Sequence, residues 1–207
     1  MEILTAKDVI FNQNLHYPSI DIFENHTTFL QGPSGCGKST LLKLFNATLS
    51  PDQGVISYKE HDISTLNTIT LRQEVLLVSQ SVYLFDTSIS ENFDEYYRYR
   101  NLPPLSNEEK KDFLHICSAD FDLTSNCMNM SGGERQRIYL AICLSLMPKV
   151  FMLDEPTSAL DYETATRVLE NIKSFCQENK ITLIVISHDA KLTQHYADHI
   201  ITLEKKV

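Results

Sequence analysis

The stretch Gly32-Pro33-Ser34-Gly35-Cys36-Gly37-Lys38-Ser39-Thr40 constrains the fold more than any other part of the chain. It fits the spacing G-x-x-x-x-G-K-[ST]. In that pattern glycines let the backbone curl around an anion and turn several N–H groups inward, while the lysine reaches the terminal phosphates of a nucleotide. The pattern needs a strand before it and a helix after it. Thr27-Thr28-Phe29-Leu30 supplies an apolar strand and the run from Lys38 to Thr48 supplies a helix, whose N-terminal dipole also favours an anion.

A formal net charge of −9, with Lys and Arg scattered along the 207 residues, argues against a surface that neutralises a nucleic-acid backbone. No nucleic-acid partner is expected, and any positive field must be local. One lysine, converging backbone amides and a magnesium ion can still hold a polyanion on an acidic protein. Met1 to Asp8 lacks the basic start and long apolar run of a secretory signal, so a cytoplasmic chain is expected. The most apolar stretch, Tyr139 to Leu153, is broken by Ser145, Pro148 and Lys149 and falls short of the ~18 apolar residues of a spanning helix. Cys36, Cys117, Cys127, Cys143 and Cys176 form an odd set without a C-x-x-C pair, which reads as reduced thiols used in packing. Cys36 is the expected exception: beside loop amides and Lys38 its thiol should be reactive and shielded by nucleotide.

Residues 2 to 30 alternate apolar and polar positions, with Ile20–Phe23 and Thr27–Leu30 parted by a polar turn, which reads as antiparallel pairing. Further strands are expected at Val55–Tyr58 and Val75–Val78. From about 86 the composition turns aromatic and charged in helical groupings, broken by Pro103-Pro104 and restarted near Asn107. Ser131 with Glu134 makes a capping box that opens a helix to about Met147. The last third alternates strands at Val150–Leu153, Thr182–Ile186 and Ile200–Leu203 with helices from about Glu163 to Asn179 and from about Ala190. That alternation means a parallel sheet. Ala165, Val168, Leu169, Ile172, Phe175 and Cys176 keep i, i+3, i+4 spacing, a stripe expected to face that sheet. The fold class is therefore α/β, a phosphate-loop core with a mostly parallel sheet, an antiparallel N-terminal β subdomain and an inserted helical subdomain. One domain is expected, with residues 1–85 and 145–207 as its core and 86–144 as the helical lobe. His195 and His199 have a metal-compatible spacing without a third ligand and read as surface residues of the last helix.

A second chemical signal is Phe151-Met152-Leu153-Asp154-Glu155, apolar residues that deliver two carboxylates to a strand end, where ligands gather in such sheets. Where the strand breaks into a turn, both side chains can reach one pocket. Asp154 is then the natural partner, with Ser39, for a magnesium ion, and Glu155 is placed to accept a proton from, or to orient, an attacking water.

Together with Gln80, Met130-Ser131-Gly132-Gly133-Glu134, Leu153 to Asp161 and Ser187-His188-Asp189, these motifs make the chain resemble the ATP-binding cassette ATPases over nearly its whole length. Ser131-Gly132-Gly133-Glu134-Arg135-Gln136-Arg137 is the most specific part, similar to the family's signature sequence. The resemblance implies an ATPase with ATP and Mg2+ as cofactors, working as a homodimer or as a heterodimer with another cassette, with ATP at the interface. Gly32 to Thr40 would hold nucleotide in one copy, and Ser131, Gly132 and Gly133, with Asp161, would meet it from the other. Gln80 would touch metal and water and report nucleotide state, and His188 would contact the γ-phosphate. A separate transmembrane permease is implied, with the cassette peripheral on the inner face of the membrane and the partner docked at Val82-Tyr83-Leu84-Phe85. The stretch Leu71 to Phe93 is further similar to the small bacterial FetA-like cassettes linked to metal export. The alternative is a soluble cassette acting as an assembly or regulatory factor. The signature departs from the family in Met130 and Glu134, and Ala141-Ile142 lacks the arginine usual there. The shortened segment upstream of the loop leaves Phe11 and Tyr17 as candidates to stack on adenine.

Overall fold

The computed structural model describes residues 1–204; the last three residues of the 145–207 core segment lie outside them. The chain divides into two compact units. The first comprises Met1–Val78, Pro148–Glu155 and the chain from Cys176 on; the second comprises Ser79–Met147 and Pro156–Phe175. The helical unit thus begins at Ser79 rather than at 86 and takes in a segment beyond the signature helix.

In the first unit, strands β1 (Glu2–Phe11), β2 (Leu15–His16), β3 (Ile20–Phe23), β5 (Gln53–Tyr58) and β6 (His61–Asp62) form an antiparallel sheet in the order β2-β1-β5-β6, with β3 also paired to β1. Strand β4 (Thr27–Gln31) departs from the antiparallel reading. It enters a second, parallel sheet, of order β10-β4-β9-β8-β7, with β7 (Val75–Val78), β8 (Val150–Asp154), β9 (Thr182–Ile186) and β10 (His199–Thr202). The cause is visible in burial. β3 alternates buried and exposed residues, as a strand with one wet face must, whereas Thr27 to Leu30 are buried without a break. Strands β8 and β9 are likewise buried along their whole length. Helix α1 (Lys38–Phe45) buries Leu41, Leu42, Leu44 and Phe45 in the same core as Leu30, Met152, Ile184 and Ile186.

A short helix that the apolar pattern does not announce, α2 (Thr68–Glu74), precedes β7. Only Leu71 of it is buried, so there is no apolar stripe to read. Its start is set by Asn67, whose side chain accepts from the N–H groups of Ile69 and Thr70.

The second unit is built from α3 (Ile89–Tyr99), α4 (Asn107–Ile116) and α5 (Gly132–Ser145), each opened by a Ser-x-x-Glu capping box. Buried Lys110 ties α4 to α3 through Asp94 at 2.6 Å, and the Tyr97 hydroxyl ties α3 to α5 by donating to Ser145 O at 2.7 Å. Helix α6 spans Tyr162–Glu178. Ala165, Val168, Leu169, Ile172 and Cys176 are buried as the stripe requires, but Phe175 packs edge-on against Phe113 of α4 and Asn171 donates to Ile116 O. That part of the helix belongs to the helical unit. Helix α7 (Ala190–Tyr196) is capped by Asp189. His199 lies on β10 and not on the last helix, with its ring beside Phe23 and His26. No helix among the described residues is long and apolar enough to cross a membrane.

Candidate active site

The site is assembled where β4 and β8 end. Strand β4 runs into the glycine loop, which closes onto α1 at Gly37, the helix N-cap, in a left-handed conformation with φ 98°. A side chain there would be strained, and its first carbon would stand 2.6 Å from the Tyr17 hydroxyl. Strand β8 ends at Asp154, 8% exposed, whose Oδ1 accepts from Ser39 Oγ at 3.1 Å. The next residue, Glu155, has φ 53°, unusual for a residue with a side chain and a form of stored strain that collects at functional sites. Its N–H donates to Ile186 O on β9. The turn sends Glu155 toward His188, with Oε1 2.9 Å from Nε2. A carboxylate only accepts, so the imidazole proton of this bond sits on Nε2.

These residues line one cleft of about 260 Å³: Leu15, Ser34, Gly35, Gly37, Lys38, Ser39, Thr40, Glu155 and His188. Lys38 is buried; its ammonium donates to Gly32 O at 2.8 Å and to Pro33 O at 3.1 Å. It lies folded along the loop, so an entering phosphate replaces carbonyl partners that the loop already offers. Burial is the main force on Asp154 and pushes its carboxyl above the usual carboxylate range; Ser39 works against it, while the Glu155 charge adds to it. A hydroxyl and a carboxylate side by side are hard oxygen donors of the kind that suit magnesium.

Cys36 differs from its expectation. Its thiol is 5% exposed and packed in the apolar core, 2.8 Å from the point where a Gly32 Cβ would stand, so what Cys36 offers a nucleotide is backbone. Reactivity needs access, which a buried thiol lacks. Gly32 and Pro33 likewise take part through their carbonyls, on Lys38.

The remaining residues singled out in the sequence belong to the second unit. Gln80 is exposed just beyond β7. Ser131 caps α5: Glu134 N donates to its Oγ at 3.3 Å, and Glu134 Oε2 accepts from Ser131 N at 2.8 Å. Gly132 is open, with no atom within 4 Å of where a Cβ would be. Gly133 has no such room, since a Cβ would meet Ala159 O at 2.9 Å and Leu160 at 3.1 Å. That close approach brings the signature turn against the loop that ends at Asp161, which is exposed and accepts from Thr164 N at the start of α6. The residue missed in the sequence is Leu15. Its signal was the turn Asn12-Gln13-Asn14, which makes Leu15 the first residue of the return strand.

The family model described as ABC transporter matches residues 15–158. The chain belongs to the ABC transporter family. It is the ATP-binding subunit of such a transporter, the part that powers a membrane permease. This cassette is 40% identical over 176 residues to the probable iron export ATP-binding protein FetA of Escherichia coli (strain K12), covering 84% of this chain and 77% of that one. It is 33% identical over 190 residues to the probable amino-acid import ATP-binding protein YxeO of Bacillus subtilis (strain 168), covering 88% and 76%. The dimeric structure of MJ0796, a bacterial ABC transporter cassette, superposes with a TM-score of 0.85 at 23% identity, over 98% of this chain and 95% of that one. That likeness establishes the cassette fold, with its parallel phosphate-loop sheet, antiparallel β subdomain and helical subdomain.

Proposed function

We propose that this cassette hydrolyses ATP with magnesium, using Ser39 and Asp154 to hold the ion, Glu155 as the base for the attacking water and His188 to orient Glu155. The observation that carries the reading is the convergence of Ser39, Lys38, Glu155 and His188 on one cleft, with Asp154 directly behind Ser39. Bound magnesium would draw charge from the terminal phosphates. Lys38 leaves its loop carbonyls to meet the same phosphates, and Glu155, its proton-accepting face set by the bond from His188, takes the water's proton. Two cassettes, identical or not, close around two nucleotides so that Ser131, Gly132, Gly133 and Asp161 of each complete the other's site. The open, solvent-facing start of α5 supports this, because a helix N-terminus offers unpaired N–H groups to an anion. Gln80, just beyond β7, is assigned to sensing metal and water.

The test of the metal site uses Asp154→Asn. Because burial holds the folded-state pKa of Asp154 above that of an exposed carboxyl, the folded chain keeps, in the window between the two, a proton that the unfolded chain releases. Stability contributed by this group is therefore lost as pH rises through that window. Removing the charge should raise the melting temperature of the nucleotide-free protein at pH 7 and flatten its dependence on pH through that interval. The same variant should lose magnesium-dependent turnover. A variant that hydrolyses Mg-ATP at the parent rate would remove Asp154 from the metal site, whereas one that melts lower at pH 7 would show that the buried charge does not cost the fold stability.

A separate transmembrane permease is proposed to dock on the second unit at Tyr83 and Phe85, which places the cassette on the inner face of the membrane. Tyr83 is 63% and Phe85 40% exposed, whereas Val82 and Leu84 are half-buried. The Phe85 ring lies 6.2 Å from Tyr96 and 6.3 Å from Tyr99, and the buried amide of Asn92 pins the Phe85 backbone on both sides. A rigid exposed aromatic surface of this kind is what a partner anchors on. Changing Tyr83 and Phe85 to Ser should leave the isolated subunit folded, with its basal turnover, and should break co-purification with the permease. Loss of the melting transition would instead assign both rings to the core. The relatives are named for iron export and for amino-acid import, which fits a division of labour in which the permease selects the cargo.

A further inference from the structure

Tyr17 is 6% exposed and lies outside the set of residues that line the cleft. Its N–H donates to Val9 O at 2.9 Å, which anchors the residue to β1. From there its hydroxyl reaches the start of α1 and donates to Gly37 O at 2.9 Å. Gly37 O also accepts from Leu41 N at 2.8 Å, the bond that opens the helix ladder, so both lone pairs of this carbonyl are engaged. The Thr40 hydroxyl, one turn into the helix, hydrogen-bonds Tyr17 as well. Burial pushes the phenol up to about 12, so it keeps its proton and stays a donor through the neutral range. The fit leaves no slack, since a first side-chain carbon on Gly37 would stand 2.6 Å from the hydroxyl oxygen.

What these bonds hold is a peptide plane. The Gly37 carbonyl and the Lys38 N–H belong to one trans peptide unit and point in opposite directions. With the carbonyl fixed on the helix side, the Lys38 N–H is aimed out of the N-terminal end of α1 and into the glycine loop. No side chain caps that end, and the first N–H groups of a helix lack partners within it, which leaves them for an anion. Glycine is the residue least able to hold such a plane by itself, because no Cβ limits its φ and ψ. Gly37 nevertheless sits at φ 98° and ψ 13°. We propose that Tyr17 is a positioning residue for phosphate binding, its hydroxyl fixing the Gly37–Lys38 peptide so that the Lys38 N–H is set for a phosphate before nucleotide enters. The proposal rests on the reading of the cleft as the ATP site. Preorganisation of this kind raises affinity by removing an ordering cost that binding would otherwise carry. Its effect follows the phosphates and not the base or the sugar, because the group it aims is a loop amide.

The test compares the full chain with its Tyr17→Phe, Tyr17→Leu and Lys38→Ala variants. Calorimetric titration uses Mg-ADP and magnesium pyrophosphate, the second having neither base nor sugar. Tyr17→Phe keeps the ring and should bind both about fivefold more weakly than the parent, the equivalent of the ~1 kcal/mol of one hydrogen bond. In steady-state turnover of Mg-ATP it should raise KM by a similar factor and keep kcat within about twofold, the pattern of lost uniform binding. Tyr17→Leu gives up the ring as well, so it should melt lower than Tyr17→Phe but bind both ligands about as weakly. Unchanged affinities in Tyr17→Phe overturn the proposal even if its melting temperature falls, because the hydroxyl would then serve the fold alone. A fall in kcat at constant KM overturns it too, as does a loss toward Mg-ADP without one toward pyrophosphate. If one Tyr17 variant does not fold, the other decides by the same criteria. Failure of the underlying site assignment looks different, because Lys38→Ala would then bind both ligands as the parent does.

Discussion

Glu155→Gln should lower the turnover of Mg-ATP by about a hundredfold or more, since that is what removing a general base costs, while leaving nucleotide affinity within a few-fold of the parent. The change is small in every other respect. Glutamine fills the same volume, tolerates φ 53° no worse than glutamate does, and its carbonyl oxygen still accepts from His188 Nε2. What it loses is the capacity to take a proton. Single-turnover measurement of phosphate release beside a binding titration separates the two effects. The variant should also accumulate as a nucleotide-bound dimer, visible by size-exclusion chromatography with Mg-ATP, if hydrolysis is what reopens the proposed closure of two cassettes. Turnover near the parent rate would mean that another group accepts the proton and that the strained turn at Glu155 serves the fold alone.

How far these positions could be read from sequence varies with the kind of signal each carries. The glycine loop, strand β8 and strand β9 were legible because their signals are local: fixed spacing in the first, unbroken apolar runs in the others. Ser131 and Glu134 announced a helix start in the same way, and Ser88 with Glu91 and Ser106 with Glu109 carry the same signature at α3 and α4. The partners of β3 and β4 were not legible from a turn between them, because pairing is decided by which sheet has a vacant neighbour, a matter of contacts far along the chain. Strand β4 lies between β9 and β10, more than 150 residues downstream. Cys36 illustrates the opposite limit. Its neighbours in sequence suggest an exposed, activated thiol, but the loop's curl turns the side chain into the core, and only the folded backbone reveals that direction. Tyr17 shows the same limit: expected as a candidate to stack on adenine, its ring is buried, and Leu15, of which nothing was expected, lines the cleft.

The second large effect separates a site completed by a partner from one complete within a chain. Ser131→Arg should abolish hydrolysis while the isolated chain still binds nucleotide, because Ser131 is proposed to act only across the dimer. The substitution removes an N-cap hydroxyl that accepts from Glu134 N, which costs about 1 kcal/mol, a small part of the ~5–15 kcal/mol that holds a domain folded. An intact melting transition should therefore accompany the lost activity. On that proposal, a bulky side chain at the exposed start of α5 would fill the space of the partner's terminal phosphate and oppose closure. Mixing Ser131→Arg with Lys38→Ala, each inactive alone, then tests the geometry. In a mixed dimer one site pairs the intact loop of the first chain with the intact signature of the second, and the other site is spoiled twice. Random pairing makes half the dimers mixed, each with one good site of two, so roughly a quarter of the parent activity should return if the sites act independently. Recovery at any level shows that loop and signature come from different chains, since neither variant carries both intact. If the mixture stays silent, crosslinking with Mg-ATP decides the cause: mixed dimers that form but do not turn over would mean that both sites must fire together, and failure to form any would leave the composite site without support.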